Sequence, residues 1–301
     1  MKLWVIANKR PSGKTKWETT RLLDEGALRG ADAHLILHST VDIIVSGNDR
    51  KSVRVKNRAV TLPDVVIPRT GSGTGYFGRA VLRHFERLGV PVLNTADSIE
   101  ATKDKLYAHQ IFAQAGIPTP KTMLVKHPVN PRTVESEIGF PAVVKILSGS
   151  YGKGVYLVHN TAEFVDFIEF AHGIKNDEAI LVQEYVSLVP GADVRVIVIG
   201  GKTIGAMKRV SKDGSFKANI TRGGVGEIYP LDDELTSIAE HTAKCLNLDI
   251  AGIDLLFGPG GYLVCEANSA PGFYGFEHAT GINVAGAIMD LAYRSIAEKN
   301  S

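Results

Sequence analysis

The sequence predicts an α/β protein with an N-terminal parallel sheet, followed by two smaller α+β units. Three observations lead there. Short apolar runs alternate with helical patterns through the first third of the chain, as in strands joined by helical crossovers. The breaker cluster Gly116-Ile-Pro118-Thr-Pro120 then ends a helix, and strands follow more closely. Near the C-terminus, residues 254–273 read as a strand, a Gly-Pro-Gly-Gly turn and a second strand ending in a Pro-Gly loop.

The elements follow in order. Leu3–Ala7 is a first strand, too short for the apolar core of a signal peptide, and a helix runs from about Trp17 to Arg29. His34–His38 and Val65–Pro68 are further strands, with a small hairpin inserted over Ile43–Leu62 near the sheet edge. A helix over Tyr76–Leu88, a strand over Pro91–Asn94 and a helix over Thr102–Gln114 complete the first stretch. Strands at Pro141–Leu147, Val155–His159 and Ala179–Val186, with a helix over Ala162–Phe170, make the second unit. Asp193–Gly200, Thr203–Arg209 and a final helix over Val284–Glu298 belong to the third. The expected division is 1–97, 98–186 and 187–301.

Bulk properties exclude several classes. A formal charge of +2 gives no field for nucleic acid or a membrane surface, and no apolar run approaches a membrane span. Cys245 and Cys265 lie in apolar runs without CxxC spacing, as expected for reduced core thiols of a cytoplasmic protein. The nine histidines form no HExxH motif, and no GxSxG elbow is present, so neither zinc nor serine-hydrolase chemistry is expected. Ser12-Gly13-Lys14-Thr15 imitates the end of a Walker A loop, but Asn8 stands where that motif needs glycine. The flanking Pro11 and the many local charges predict a mobile surface loop.

The chemistry-bearing residues lie elsewhere. Strand alternation turns Leu263, Cys265 and Ala267 to a core, and Glu266 and Asn268 to the other face, where Asp254 of the hairpin partner can join them. Two carboxylates and an amide oxygen suit a hard cation such as Mg²⁺. Lys145 sits in an apolar strand, where a lone ammonium is costly unless an anion meets it. Directly after it, Ser148-Gly149-Ser150-Tyr151-Gly152-Lys-Gly154 offers backbone N–H groups and hydroxyls to phosphate oxygens. Glu184 and Tyr185 end an apolar strand; a ribose-binding carboxylate and a solvated strand end are equally compatible with the spacing. Asp193, Arg195 and Arg209 place charges on otherwise apolar strands, and Arg222 adds a cation beside two glycines. A cation cluster facing the metal set fits triphosphate and carboxylate binding.

Taken together, these segments resemble the ATP-grasp superfamily and, within it, the RimK-like glutamate ligases. The motifs that carry the resemblance are Ile67-Pro-Arg69-Thr-Gly71, Thr102-Lys-Asp-Lys105-Leu106, Val143-Val-Lys145 and Gln183-Glu184-Tyr185. Asp193-Val-Arg195, Arg222-Gly-Gly224, Gly252-Ile-Asp254 and Glu266-Ala-Asn268 with Ala270-Pro-Gly272 follow in family order. The resemblance implies an ATP-grasp fold behind an N-terminal pre-ATP-grasp domain. It implies that Lys105 and Lys145 contact ATP phosphates, that residues 148–154 form a phosphate lid, and that Glu184 and Tyr185 frame adenine and ribose. Asp193, Lys217, Ala218 and Asn219 are implied at the nucleotide. Asp254, Glu266 and Asn268 are implied ligands of two divalent cations, Mg²⁺ or Mn²⁺, and Arg209 and Arg222 are candidates for stabilising the transferring group. The family often has Arg where Lys217 stands, and the loop Ala270-Pro-Gly-Phe273-Tyr-Gly-Phe276-Glu277 is more aromatic than in ribosomal-protein-modifying members.

The implied reaction joins an amino acid, glutamate favoured, to an amine or carboxylate acceptor through an acyl phosphate. An ATP-grasp kinase and a non-catalytic ATP-binding regulator are the alternatives. Self-association into a homo-oligomer is expected from the resemblance alone.

Overall fold

In the computed structural model, β1 (Lys2–Ala7) is the centre of a parallel sheet, between β2 (Asp32–Leu37) and β6 (Val65–Arg69). Residues 1–46, 51–71, 74–146, 154–174, 179–186, 188–211 and 225–300 are described. Both faces of this sheet are apolar because both are covered. Leu3, Val5, Val65 and Ile67 enter one core, and Trp4, Ile6 and Val66 another. Helix α1 (Gly13–Leu28) makes the crossover from β1 to β2. It begins four residues before the expected Trp17. The Thr15 hydroxyl accepts from Ser12 N (3.2 Å) and donates to Ser12 O (2.7 Å). The predicted mobile loop at Ser12–Thr15 is therefore the capped first turn of a helix.

The insertion forms a separate antiparallel sheet of β3 (Val41–Ile43), β4 (Val53–Val55) and β5 (Arg58–Ala59), one strand more than the expected hairpin. α2 (Tyr76–Arg87) sends Val81, Leu82 and Phe85 into the second core. The strand expected over Pro91–Asn94 is reduced to one bridge, Val66 to Val92. The helix expected over Thr102–Gln114 starts instead at Lys105, as α4 (Lys105–Gln114), and an unexpected helix, α3 (Ala96–Lys103), ends just before it. Asp104 takes extended backbone and its carboxylate accepts from Tyr107 N at 3.0 Å. An aspartate in that position competes with the helix as an N-cap and restarts it.

A second antiparallel sheet has the order β7-β10-β8-β9, comprising β7 (Thr122–Val125), β8 (Ala142–Ile146), β9 (Val155–Val158) and β10 (Ile180–Glu184). α5 (Pro131–Glu137) and α6 (Thr161–Ile174) accompany it, and Phe164 and Ile168 pack with Val144 and Val182. The third sheet runs β13-β12-β11-β14-β15 and is antiparallel throughout. Its strands are β11 (Ala192–Ile199), β12 (Lys202–Val210), β13 (Val225–Tyr229), β14 (Ile250–Gly258) and β15 (Gly261–Asn268). Val194, Val196 and Val198 pack toward α4 and α7 (Asp233–Cys245). Ile197 and Ile199 face the core shared with the N-terminal sheet, α8 (Tyr274–Thr280) and α9 (Val284–Asn300). Among the described residues, no helix is long and apolar enough to cross a membrane.

One buried amide ties the N-terminal part to the third sheet. Asn94 donates to the carbonyls of Ile250 (2.7 Å) and Ser269 (2.6 Å), and its Oδ1 accepts from Asp249 N (2.6 Å) and Ile250 N (2.9 Å). Removing this side chain strands four backbone groups at the base of the hairpin. Asn94→Ala is expected to lower unfolding stability by about 2–4 kcal/mol, because each buried unsatisfied group carries a desolvation cost. Urea denaturation followed by fluorescence measures it.

Candidate active site

The face of the third sheet that carries Ile197 and Ile199 becomes charged toward one end. Alternation along β11 puts Arg195 and Asp193 on that face, and the ladder sets Arg195 opposite Asp254 and Asp193 opposite Arg209. The side chains lock into a line. Arg209 holds Asp193 through Nε and Nη2, both at 2.6 Å, and reaches Asp254 Oδ2 at 3.1 Å. Arg195 grips the same Asp254 through Nε and Nη2, both at 2.7 Å. Bidentate guanidinium–carboxylate pairs are the strong kind. Arg209 is only 2 % exposed and Asp254 6 %. Burial works against the guanidinium's charge, but Asp254 and Asp193 more than offset it and raise the Arg209 pKa. Burial likewise works against the Asp254 carboxylate, and Arg195 and Arg209 overcome it, holding its pKa below the usual carboxylate range.

Glu266 pairs across the ladder with Asp254, and Asn268 with Gly252. Asn268 Nδ2 is 3.4 Å from Gly252 O and 3.5 Å from Asp254 Oδ2. Glu266 is exposed. The expected trio is therefore together. The alternation around it is not the expected one. Val264 pairs with Leu255 and Glu266 with Asp254, so Cys265 is the extra residue of a β-bulge. Val264 and Ala267 enter the core, Leu263 is half-buried, and Cys265 turns toward the charges. Burial raises the Cys265 thiol, and the charges acting on it are Lys145, Glu266, Asp254 and Asp193. The expectation that Leu263 and Cys265 share the core face of Ala267 is corrected by this bulge. Cys245 is half-buried at the rim of the core, and both thiols are free.

The donor set fits a hard divalent cation. Among the described residues no three or more His, Cys, Asp and Glu side chains cluster as a metal site, so a cation here would rest on two carboxylates and an amide oxygen. Asp254 is shared with two arginines, while Glu266 makes no ion pair with the described residues.

The second sheet brings one of the expected phosphate residues, Lys145, near the acidic groups. Lys145, on β8, is 9 % exposed and lies opposite Leu181 of β10. Its charge reaches both Cys265 and His109, and Lys105, the first residue of α4, also acts on His109. Gly154 closes the β8–β9 hairpin, its carbonyl accepting from Ile146 N at 2.8 Å. Glu184 ends β10, with Oε1 accepting from Lys121 N at 3.0 Å, and Tyr185 follows half-buried. Ser148, Gly149, Ser150, Tyr151, Gly152, Lys217, Ala218, Asn219 and Arg222 lie outside the described residues.

The Pro-Gly loop is held by two residues whose part the sequence did not disclose. Glu18, on α1, accepts from Phe273 N (2.8 Å) and Tyr274 N (3.0 Å) through Oε1, and pairs with Arg69 through Oε2 (2.8 Å). Arg69, at the end of β6, donates to Pro271 O at 2.9 Å. Pro271 lies over Gly252, where a Cβ would come within 2.6 Å of the Pro271 Cβ. Trp17 adds an edge-on contact to Tyr274, with ring centroids 5.1 Å apart. Arg69 was visible as part of a motif, whereas Glu18 carried no signal beyond being an acid on an amphipathic helix. Glu18→Gln keeps an acceptor for the loop amides and removes the charge that pairs Arg69. It is expected to cost about 1–3 kcal/mol, read from the urea midpoint.

Comparison with known proteins adds the decisive observation. The model of the RimK-like ATP-grasp domain matches residues 102–292, and that of the RimK PreATP-grasp domain residues 1–99. The chain belongs to the RimK-like ATP-grasp family. As a member of that family it is an ATP-grasp ligase, an ADP-forming enzyme. A relative from Teredinibacter turnerae, named probable alpha-L-glutamate ligase, is 37% identical over 282 residues, which span 93% of this chain and 92% of the relative. Among solved structures, the RimK domain protein ATP-grasp from Sphaerobacter thermophilus shares the fold with a TM-score of 0.73, at 22% identity, over 97% of this chain and 99% of that one. The ATP-grasp ligase PsnB, solved with a phosphomimetic variant of its minimal precursor, Mg and ADP, superposes with a TM-score of 0.75 at 20% identity, over 99% and 98%.

Proposed function

We propose that this ligase joins glutamate, or a similar amino acid, to an acceptor through an acyl phosphate formed at the expense of ATP. The observation that carries the reading is the line Asp193–Arg209–Asp254–Arg195 on one face of the third sheet, with Glu266 set opposite Asp254 on the ladder and Asn268 Nδ2 3.5 Å from Asp254 Oδ2. In this proposal, residues 1–97 support the substrate loop, 98–186 hold the nucleotide and 187–301 carry the acidic set.

Lys105 and Lys145 bind phosphate oxygens, with 148–154 as the lid, and Glu184 and Tyr185 frame the adenosine. Asp193 and the segment Lys217, Ala218 and Asn219 complete the nucleotide site. Asp254, Glu266 and Asn268 would hold Mg²⁺, which when bound offsets phosphate charge and polarises the phosphoryl group. A substrate carboxylate attacks the γ-phosphate, releasing ADP, and an amine then displaces phosphate to give the amide. Both steps build negative charge, so cations rather than an acid–base dyad are what the reaction needs. Arg222 is assigned to that charge directly. Arg209 is buried between Asp193 and Asp254, which supports a role in presenting those carboxylates.

Support for an anionic acceptor comes from the start of α1 and the residues before it. Lys9, Arg10 and Lys14 are exposed, and Lys14 Nζ is 5.6 Å from the ring centroid of Tyr274 in the Pro-Gly loop. The test is a panel of amino acids and acidic peptides, with ADP and phosphate release measured alongside product masses. An amide product whose formation requires both substrates is expected. Phosphate retained on the product selects the kinase reading, and ATP binding without turnover selects the regulator.

A further inference from the structure

A buried polar chain runs beneath Lys145. His109, on α4, is 7 % exposed, and its Nδ1 lies 2.7 Å from Thr119 Oγ1. The Thr119 hydroxyl is 3.0 Å from the Val264 carbonyl. On the other side of the ring, Nε2 lies 3.3 Å from Gln183 Nε2. Gln183 Nε2 also donates to Thr122 Oγ1 at 2.8 Å, and the Thr122 hydroxyl donates to Pro120 O at 2.8 Å. Gln183 Oε1 accepts from Lys145 Nζ at 2.7 Å.

These contacts admit one assignment of hydrogens. A carbonyl only accepts, so the Thr119 hydroxyl donates to Val264 and must receive a proton from His109 Nδ1. Nε2 then carries a lone pair and accepts one amide hydrogen of Gln183. The other amide hydrogen goes to Thr122, whose own proton is committed to Pro120. With both amide hydrogens placed, the Gln183 oxygen has to face the Lys145 ammonium. A His109 bearing a proton on Nε2 would meet the amide NH₂ head-on and favour the flipped amide, which presents NH₂ to a cation. Burial, with Lys145 and Lys105 nearby, pushes the His109 pKa down to about 4, so the ring is neutral at ordinary pH.

We propose that His109 and Gln183 are positioning residues for Lys145: the neutral Nδ1–H imidazole orients the Gln183 amide, whose oxygen aims the ammonium at the nucleotide phosphates. The proposal rests on the reading of Lys145 as a phosphate-binding lysine.

Two measurements on the full-length protein separate the parts. In ¹⁵N-histidine spectra, with His109 assigned by its disappearance in His109→Phe, the expected result is a neutral Nδ1–H ring unchanged from pH 8 to pH 5. An Nε2–H ring, or titration near pH 6.5, overturns the assignment. In calorimetry with a non-hydrolysable ATP analogue, His109→Phe is expected to weaken binding by about tenfold. His109→Gln, which keeps an acceptor near the Nε2 position, should recover most of that loss. In a Lys145→Met background, His109→Phe should add nothing, because its effect runs through the lysine. Additive losses in the double variant overturn the proposal as a merely structural role. An unchanged affinity in Lys145→Met alone also overturns it, and with the expected tautomer intact would place the fault in the phosphate-lysine reading.

Discussion

Glu266→Gln is expected to leave the protein folded and to reduce ligase turnover by about 10²-fold or more. The two halves of this expectation have separate causes. Glu266 is exposed and makes no ion pair among the described residues, so its loss removes nothing that holds the third sheet together. Asp254, its cross-strand neighbour, already faces two guanidinium groups. Glu266 is thus the carboxylate with uncommitted charge for a hard cation, and an amide in its place keeps the shape without the anion. Coupled ADP release, measured across a Mg²⁺ titration beside a thermal melt, checks both halves. Near-wild-type turnover would remove Glu266 from the proposed ligand set.

Arg209→Met is expected to cost stability itself, by about 3–5 kcal/mol, since removing one partner from a buried ionic group leaves charge uncompensated. Asp254 would keep Arg195, but Asp193 would lose both of its 2.6 Å contacts. The deficit should depend on pH in a definite direction. Burial already raises the Asp193 pKa, despite the neighbouring Arg209, and loss of that cation raises it further. A carboxyl group whose folded pKa exceeds its unfolded value binds protons more tightly when folded, so stability grows as pH falls toward the unfolded value. The variant should therefore recover part of its deficit between pH 7 and pH 5. Urea unfolding at the two pH values tests this, and an equal or larger deficit at pH 5 would mean lost packing, not charge, is the cause.

The fold was legible where local pattern and tertiary outcome agree. The apolar runs around Val5, Val66, Val144, Val182 and Val196 are strands because no other element buries them as well, and the Pro259–Gly260 turn between β14 and β15 marks its hairpin directly. Element ends were less legible, because caps decide them: Thr15 starts α1 early and Asp104 starts α4 late. α7 went unread although Asp232 caps it, its Oδ1 accepting from Leu235 N at 2.7 Å. β7, α5, β13 and α8 are short segments whose partners are distant in sequence, and they were also unread. Within the site, the grouping of Asp254, Glu266 and Asn268 followed from two-residue alternation, while the arginine contacts depend on how β11 and β12 align against β14. Glu18, Asn94 and His109 act through partners between 10 and 256 residues away, and no local spacing announces such contacts.

The bulge in β15 has a consequence for deletions. Because Cys265 has no partner of its own on β14, it is the residue whose excision would leave every other pair of the ladder in place. Removing Leu263 or Val264 instead would shift the apolar frame against β14 and turn core residues toward the charges. The strand thus contains a single dispensable letter, next to the carboxylate proposed to hold the cation. A one-residue deletion series across 262–268 should spare folding at Cys265 alone, and activity in that shortened protein would report how far the aim of Glu266 depends on the kink.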